Sequence, residues 1–257
     1  MDLQNKVAVV TGGAQGLGEA FVKILLKKGA NVAFIDVNKP LGEELKTALV
    51  DEYGEDRVEF YVVDVSSKEE FTGVFQKIVD RFGHIDIMYN NAGVINENEW
   101  EKTIAINMVG LVRGTYLALQ YMNNNPDKKG AIINISSTAG LGFVLAAPIY
   151  TATKYAVVGF SRAIAAVTRN SKIGLRINIL CPGVVKTNLL SSPNIEDHFG
   201  RFSYLTGLRE IQERNEFVAP DDVAEASLIL VTDESKNGEI LKIDADGVEF
   251  LPEPSAM

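Results

Sequence analysis

Tyr150 and Lys154 stand four residues apart in the stretch YTATK. On a helix, residues i and i+4 share a face. The ammonium then lies within reach of the phenol, and a neighbouring positive charge favours the phenolate. A tyrosine tuned in this way exchanges a proton with an alcohol or a carbonyl oxygen. Free tyrosine has a pKa of about 10, so a base working near pH 7 needs about three units of depression, or about 4 kcal/mol. Taken alone, the pair equally describes a half-buried tyrosine beside a solvated lysine.

A second set of residues points to a phosphate-bearing ligand. The run TGGAQGLG spaces Gly12, Gly16 and Gly18 as G-x-x-x-G-x-G. It lies between the apolar run KVAVVTGG and an apolar-periodic helical stretch, GLGEAFVKILLKKG. Glycines there permit a tight turn and a close approach of backbone to pyrophosphate, which a helix N-terminus favours. Asp36 ends the next apolar run, ANVAFID. A carboxylate at that place accepts hydrogen bonds from ribose hydroxyls and repels a 2′-phosphate, which favours NAD over NADP. A turn or helix-capping role is the competing reading. Asp64, which ends the third run in VVDV with Val65 after it, faces an adenine edge on the same logic, and a turn role is equally open to it.

The elements that must hold these residues alternate along the whole chain. Apolar runs at VAVVTGG, ANVAFID, RVEFYVVDV, IDIMYNNAG, GAIINISS, LRINILCPG and GEILKID read as strands. Amphipathic stretches between them read as helices, one of them running from about Glu101 to Met122 and another beginning after Ile149. The pattern predicts one α/β domain over residues 1–257, a doubly wound, Rossmann-type parallel sheet of seven strands with helices on both faces. One stretch breaks the alternation, at about 186–219. A long insertion in a compact domain is commonly functional. Its apolar side chains, among them Leu189 and Tyr204, suit a substrate lid.

The 257 residues are 46% hydrophobic and carry a net charge of -9, with no basic cluster to track a phosphate backbone, so no nucleic-acid partner is expected. Cys181 is the single cysteine, which precludes an internal disulfide and suits a reducing compartment. No run reaches the ~18 apolar residues of a membrane span, and the N-terminus lacks a signal-peptide pattern. The expectation is a cytoplasmic protein without a metal.

TGGAQGLG, the NNAG at 90–93, Asn107, the SS at 136–137, YTATK and the PG at 182–183 together resemble the short-chain dehydrogenase/reductase family. The motifs fall in the family's order and spacing over nearly the whole chain. The stretch from NNAG to QYM, INILCPGVVKT and NGEILKID resemble its NAD-dependent branch acting on 15-hydroxyprostaglandin-like lipids. The resemblance implies Tyr150 as acid/base, Lys154 as the group lowering its pKa, and Ser137 as the hydroxyl that holds the reacting oxygen. It implies Asn107 as the residue whose backbone holds a water leading from the lysine to solvent. Cofactor contacts are implied at Gly12, Gln15, Gly16, Leu17, Gly18, Asp36, Val37, Asp64, Val65, Asn91, Ala92, Gly93, Tyr150, Lys154, Pro182, Gly183, Val185 and Thr187. Substrate contacts are expected at Ser137, Phe143, Leu145, Ala147, Tyr150, Leu189 and Tyr204.

Where that branch carries glutamines, this chain has Ala146 and Ala147, a change expected to remove a hydrogen-bond pair and widen the pocket. The expected reaction is NAD-dependent oxidation of a hydrophobic secondary alcohol to a ketone. Two alternatives are an NAD(H)-dependent enzyme acting on a steroid, ecdysteroid, retinoid or terpenoid, and a non-catalytic NAD(H)-binding sensor. Family members pair through the helices flanking strands four and five, which implies a homodimer or homotetramer.

Overall fold

The computed structural model describes residues 1–125, 129–171, 173–187, 195–200 and 217–252. Its first half alternates as the apolar runs require: β1 (Val7–Thr11), α1 (Gly16–Lys27), β2 (Asn31–Asp36), α2 (Lys39–Tyr53), β3 (Val58–Val62), α3 (Lys68–Phe82) and β4 (Ile87–Asn90). The long helical stretch follows in three pieces. α4 (Trp100–Ile104) passes into a π-helical segment, Ala105–Gly110, and then into α5 (Leu111–Met122). β5 (Lys129–Ile135), α6 (Pro148–Ser171), β6 (Gly174–Pro182), α8 (Pro220–Thr232) and β7 (Ile240–Asp244) complete the expected set, and a short α7 (Ile195–His198), not expected, precedes α8.

An eighth strand, β8 (Gly247–Leu251), was not expected. It folds back antiparallel on β7, with Asp244 opposite Gly247. The Asp244 carboxylate accepts from the Asp246 N–H at 3.1 Å and so shapes the two-residue turn. Most of β8 is exposed, so it carries no apolar run for a sequence reading to find.

All eight strands join one sheet in the order β3-β2-β1-β4-β5-β6-β7-β8, and every pair except β7-β8 is parallel. Both faces of the central strands are buried. In β1, Ala8 and Val10 pack with Phe21, Phe34 and Tyr89 on one side, while Val7 and Val9 pack with Phe75, Met88 and Ile132 on the other. This two-sided burial is why the strands read as unbroken apolar runs. Chain order reverses between β1 and β4. In an open α/β sheet, ligands bind in the crevice at the carboxyl ends of the strands at that point.

The stretch expected as a lid is closed at its base. Val185 and Val218 form a parallel bridge, with Lys186 N–H to Val218 O at 3.1 Å and Val218 N–H to Val184 O at 2.9 Å. Leu189 and Tyr204 lie outside the described residues.

Candidate active site

A cleft of about 490 Å³ opens over the carboxyl ends of the central strands. At one end is the turn from β1 to α1. Gly12 sits at φ +64°, a conformation that disfavours a side chain, and a Cβ on Gly18 would fall 1.9 Å from the Gly12 carbonyl oxygen. The N-cap residue Gln15 gives α1 no side-chain cap bond, and Gly16, Leu17 and Gly18 of its first turn line the cleft. A helix N-terminus of this kind receives an anion.

Thr11 fastens this turn to the end of β4. Its hydroxyl accepts from the N–H groups of Asn91 at 3.0 Å and Ala92 at 3.1 Å. The Asn91 amide donates back to the carbonyls of Thr11 at 2.9 Å and Gly12 at 3.1 Å. Asn91 therefore spans the switch point, and its side chain braces the turn.

Asp36 lines the cleft where β2 ends. Each carboxylate oxygen accepts one backbone N–H, from Ala14 at 3.1 Å and from Asn38 at 2.9 Å. The turn role thus holds, and it fixes the carboxylate's orientation. A carboxylate offers about four acceptor positions, so two remain for a ligand's hydroxyls. Asp64 also lines the cleft while one of its oxygens accepts from the Ser66 N–H and hydroxyl. Gln15, Val37, Val65, Gly93, Pro182, Gly183, Val185 and Thr187 line it too, so every residue expected at the cofactor borders this one cleft. A bare glycine turn, a helix N-terminus and an oriented carboxylate are the parts a dinucleotide requires.

Tyr150 and Lys154 lie at the other end, one turn apart on α6, and both are buried. The Lys154 Nζ stands 5.5 Å from the centre of the Tyr150 ring and donates to the Ile135 carbonyl at 3.0 Å. Ser137 hydrogen-bonds the phenol, which pulls its pKa down, but burial is the larger effect and pushes it up to about 12. Burial also lowers Lys154 to about 8. The expected depression of Tyr150 by Lys154 is thus overturned in the protein alone. Desolvation penalises phenolate and ammonium alike, so the lysine itself gives way.

Asn107 does not line the cleft. It is buried in the π-helical segment, where its side chain clasps Val94 from both sides: Oδ1 accepts from the Val94 N–H at 2.8 Å, and Nδ2 donates to the Val94 carbonyl at 2.9 Å. Nδ2 also donates to the Thr153 hydroxyl at 3.2 Å, which itself donates to the Tyr150 carbonyl at 2.7 Å. π-bulges recur at functional sites, and this one presents Asn107 to the loop after β4. Ser136, given no role from sequence, donates to the Lys154 carbonyl at 2.9 Å and ties α6 to β5. Ser137 also caps the following turn, accepting from the Ala139 N–H at 3.1 Å.

The substrate expectations fare less well. Phe143 and Leu145 are 75% and 63% exposed and do not line the cleft; Val144 between them does. Val144 opens a turn closed by the bond from the Ala147 N–H to its carbonyl at 3.0 Å, and of the three it is the one that faces inward. Ala146 and Ala147 are fully buried, packed with Ile95, Ala139, Tyr150 and Phe199, and neither lines the cleft. The space that smaller side chains would have opened is filled by this apolar packing. Phe199, within the stretch expected as a lid, borders the cleft; Ile95, Ile106, Val144 and His198 border it too and were missed, because none belongs to a motif.

Residues 6–197 match the family described as short chain dehydrogenase. The chain belongs to the short-chain dehydrogenase family. Among its relatives is the rat (Rattus norvegicus) 15-hydroxyprostaglandin dehydrogenase [NAD(+)], 41% identical over 97% of this chain and 95% of the relative. A bacterial member, 3beta-hydroxysteroid dehydrogenase 2 of Eggerthella lenta, is 32% identical over 94% of each chain. The crystal structure of levodione reductase superimposes with a TM-score of 0.82 at 26% identity, covering 94% of this chain and 97% of that one. The short-chain dehydrogenase fold therefore extends well beyond the motifs.

Proposed function

We propose that this chain is an NAD-dependent alcohol dehydrogenase that oxidises an apolar secondary alcohol, of the 15-hydroxyprostaglandin class, to its ketone. The observation that carries this reading is a single cleft joining the glycine turn and Asp36 at one end to Ser137, Tyr150 and Lys154 at the other. All 257 residues act as one catalytic unit, with the stretch at about 186–219 covering the substrate.

Gly12, Gly16 and Gly18 admit the pyrophosphate, and Asp36 takes the ribose hydroxyls of NAD. Bound NAD supplies a hydride acceptor and a positive charge on its nicotinamide ring. Ser137 holds the substrate oxygen by a hydrogen bond that strengthens as negative charge gathers there. Tyr150 takes the proton from the substrate hydroxyl as the carbon bearing that hydroxyl gives up its C–H hydride, leaving a C=O bond. Lys154 holds the tyrosine's surroundings positive and keeps its own orientation through Ile135. Ile95, Val144 and Phe199 give the substrate end an apolar lining, which also suits a steroid ketone or alcohol. The protein acts in the cytoplasm; among the described residues no helix is long and apolar enough to cross a membrane.

The chain works as a homodimer or homotetramer. α5 and α6 present Tyr116, Tyr155 and Val167 outward, with the Tyr116 and Phe160 rings 6.0 Å apart on that face. A panel of secondary alcohols with NAD, followed by NADH absorbance, tests the reading. Turnover of prostaglandin-like or steroid alcohols is expected. Tight NADH binding with no turnover of any alcohol would instead make the chain a nucleotide sensor.

A further inference from the structure

α6 carries the acid/base residue, yet it begins without a cap of its own. Its first intrahelical bond runs from the Thr151 N–H to the Ala147 carbonyl at 2.9 Å, which makes Ala147 the N-cap. Alanine has no side-chain oxygen to offer. Pro148 follows and has no N–H to satisfy. The next two donors, on Ile149 and Tyr150, are those an N-cap side chain normally takes.

Both are taken from a distance. The Glu97 carboxylate accepts from the Ile149 N–H through Oε2 at 3.1 Å and from the Tyr150 N–H through Oε1 at 3.0 Å. A carboxylate at this end also meets the positive pole of the helix. Glu97 lies in the loop after β4, and the same residue faces the opposite way through its backbone. Its N–H donates to the His198 carbonyl at 2.7 Å, and the next residue, Asn98, donates through Nδ2 to the Asp197 carbonyl at 2.6 Å. His198 and Phe199 line the substrate end of the cleft.

We propose that Glu97 is a positioning residue that sets the first turn of α6, and with it Tyr150, against the segment bearing His198 and Phe199. Seating that segment and aligning the tyrosine are then one event, because a single residue holds both. Glu97 itself does not line the cleft, so it acts through Tyr150 and not on the substrate. The inference rests on the dehydrogenase reading above, in which Tyr150 is the acid/base.

The test compares Glu97→Ala, Glu97→Gln and Tyr150→Phe with the wild type, using the fastest alcohol of the panel. Glu97→Ala is expected to lower kcat about tenfold or more and leave the NADH dissociation constant within about twofold. Hydrogen exchange at the Ile149 and Tyr150 amides should quicken by a similar factor. Glu97→Gln keeps one acceptor and should recover part of kcat and part of the protection. It also serves as the test should the alanine variant fail to fold. A Glu97→Ala enzyme with faster amide exchange or lower thermal stability but wild-type kcat would reduce Glu97 to a plain helix cap and overturn the proposal. A Tyr150→Phe enzyme that stays active would overturn the dehydrogenase reading itself, and the two failures are distinct.

Discussion

The two ends of the cleft are held by different means. At the glycine end, backbone groups of neighbouring strands bond to one another and to short side chains planted on strand ends. Thr11, Asn91 and Asp36 together take or give seven such bonds within the turn and the adjoining strand ends. At the substrate end, the walls come from loops: Ile95 after β4, Val144 before α6, and Phe199 beyond β6. There the fixing contacts are side-chain bonds that tie loops to helices, such as those of Asn107 and Glu97. A ligand common to a whole family needs an unchanging cradle, and the sheet supplies one. A ligand that differs between members is met by segments whose replacement leaves strand register alone.

The comparison can be broken where the two ends meet. Tyr150→Phe should cost 10²–10⁴ in kcat, the usual worth of a general acid/base, with NADH affinity unchanged by fluorescence titration. Loss of both together would mean that the two ends are not separable. Asp36→Ala acts on the glycine end alone. It removes charge-assisted hydrogen bonds worth roughly 1.5–3 kcal/mol, so the ratio of NAD to NADP efficiency should fall by about tenfold or more. An unchanged ratio would show that the carboxylate serves only its turn.

Val144→Asp is the counterpart at the substrate end. A charge set against an apolar ligand should raise KM for the alcohol by about tenfold or more and leave NADH binding alone. Steady-state kinetics with both ligands varied reads the split.

The smallest effect concerns stability and has an unusual sign. Burial lowers the folded pKa of Lys154 to about 8, from the ordinary 10.5 of a free lysine. Its contribution to stability is therefore fully present above pH 10.5 and lost as pH falls through 8. At pH 7 the buried ammonium costs about 3 kcal/mol. Lys154→Met should be inactive yet more stable at pH 7. After the loss of a hydrogen bond of about 1 kcal/mol, the gain should be about 5 °C in Tm. Calorimetry at pH 7 and pH 10.5 checks this, because the gain should fade at the higher value. Tyr150 adds a matching trend in rate. With its pKa pushed up to about 12 by burial, the base form grows scarcer as pH falls, so alcohol oxidation should climb with pH and ketone reduction should decline.

Much of the fold and half of the site can be read from the chain because they are local. A buried parallel strand is a contiguous apolar run, and the glycine turn is a contiguous motif. The spacing of Tyr150 and Lys154 is one helical turn. β8 escaped because an exposed edge strand has no apolar run. The π-helical segment escaped because its register is set by contacts, among them the clasp of Asn107 on Val94. Glu97 meets Ile149 across 52 residues and Thr11 meets Asn91 across 80, and nothing in either neighbourhood announces the partner. The pKa expectation failed for a related reason: spacing places a charge near the phenol but says nothing of how much water the pair loses.

The bridge between Val185 and Val218 bears on how such an enzyme changes its diet. The bridge sets Val185 beside Val218, so residues inserted between these two positions form an appendage on a closed clasp. Lengthening such an appendage costs little, because closure entropy grows only with the logarithm of its length. One of the segments that meet the substrate end can thus vary in length while Tyr150, Lys154 and the glycine turn stay where they are.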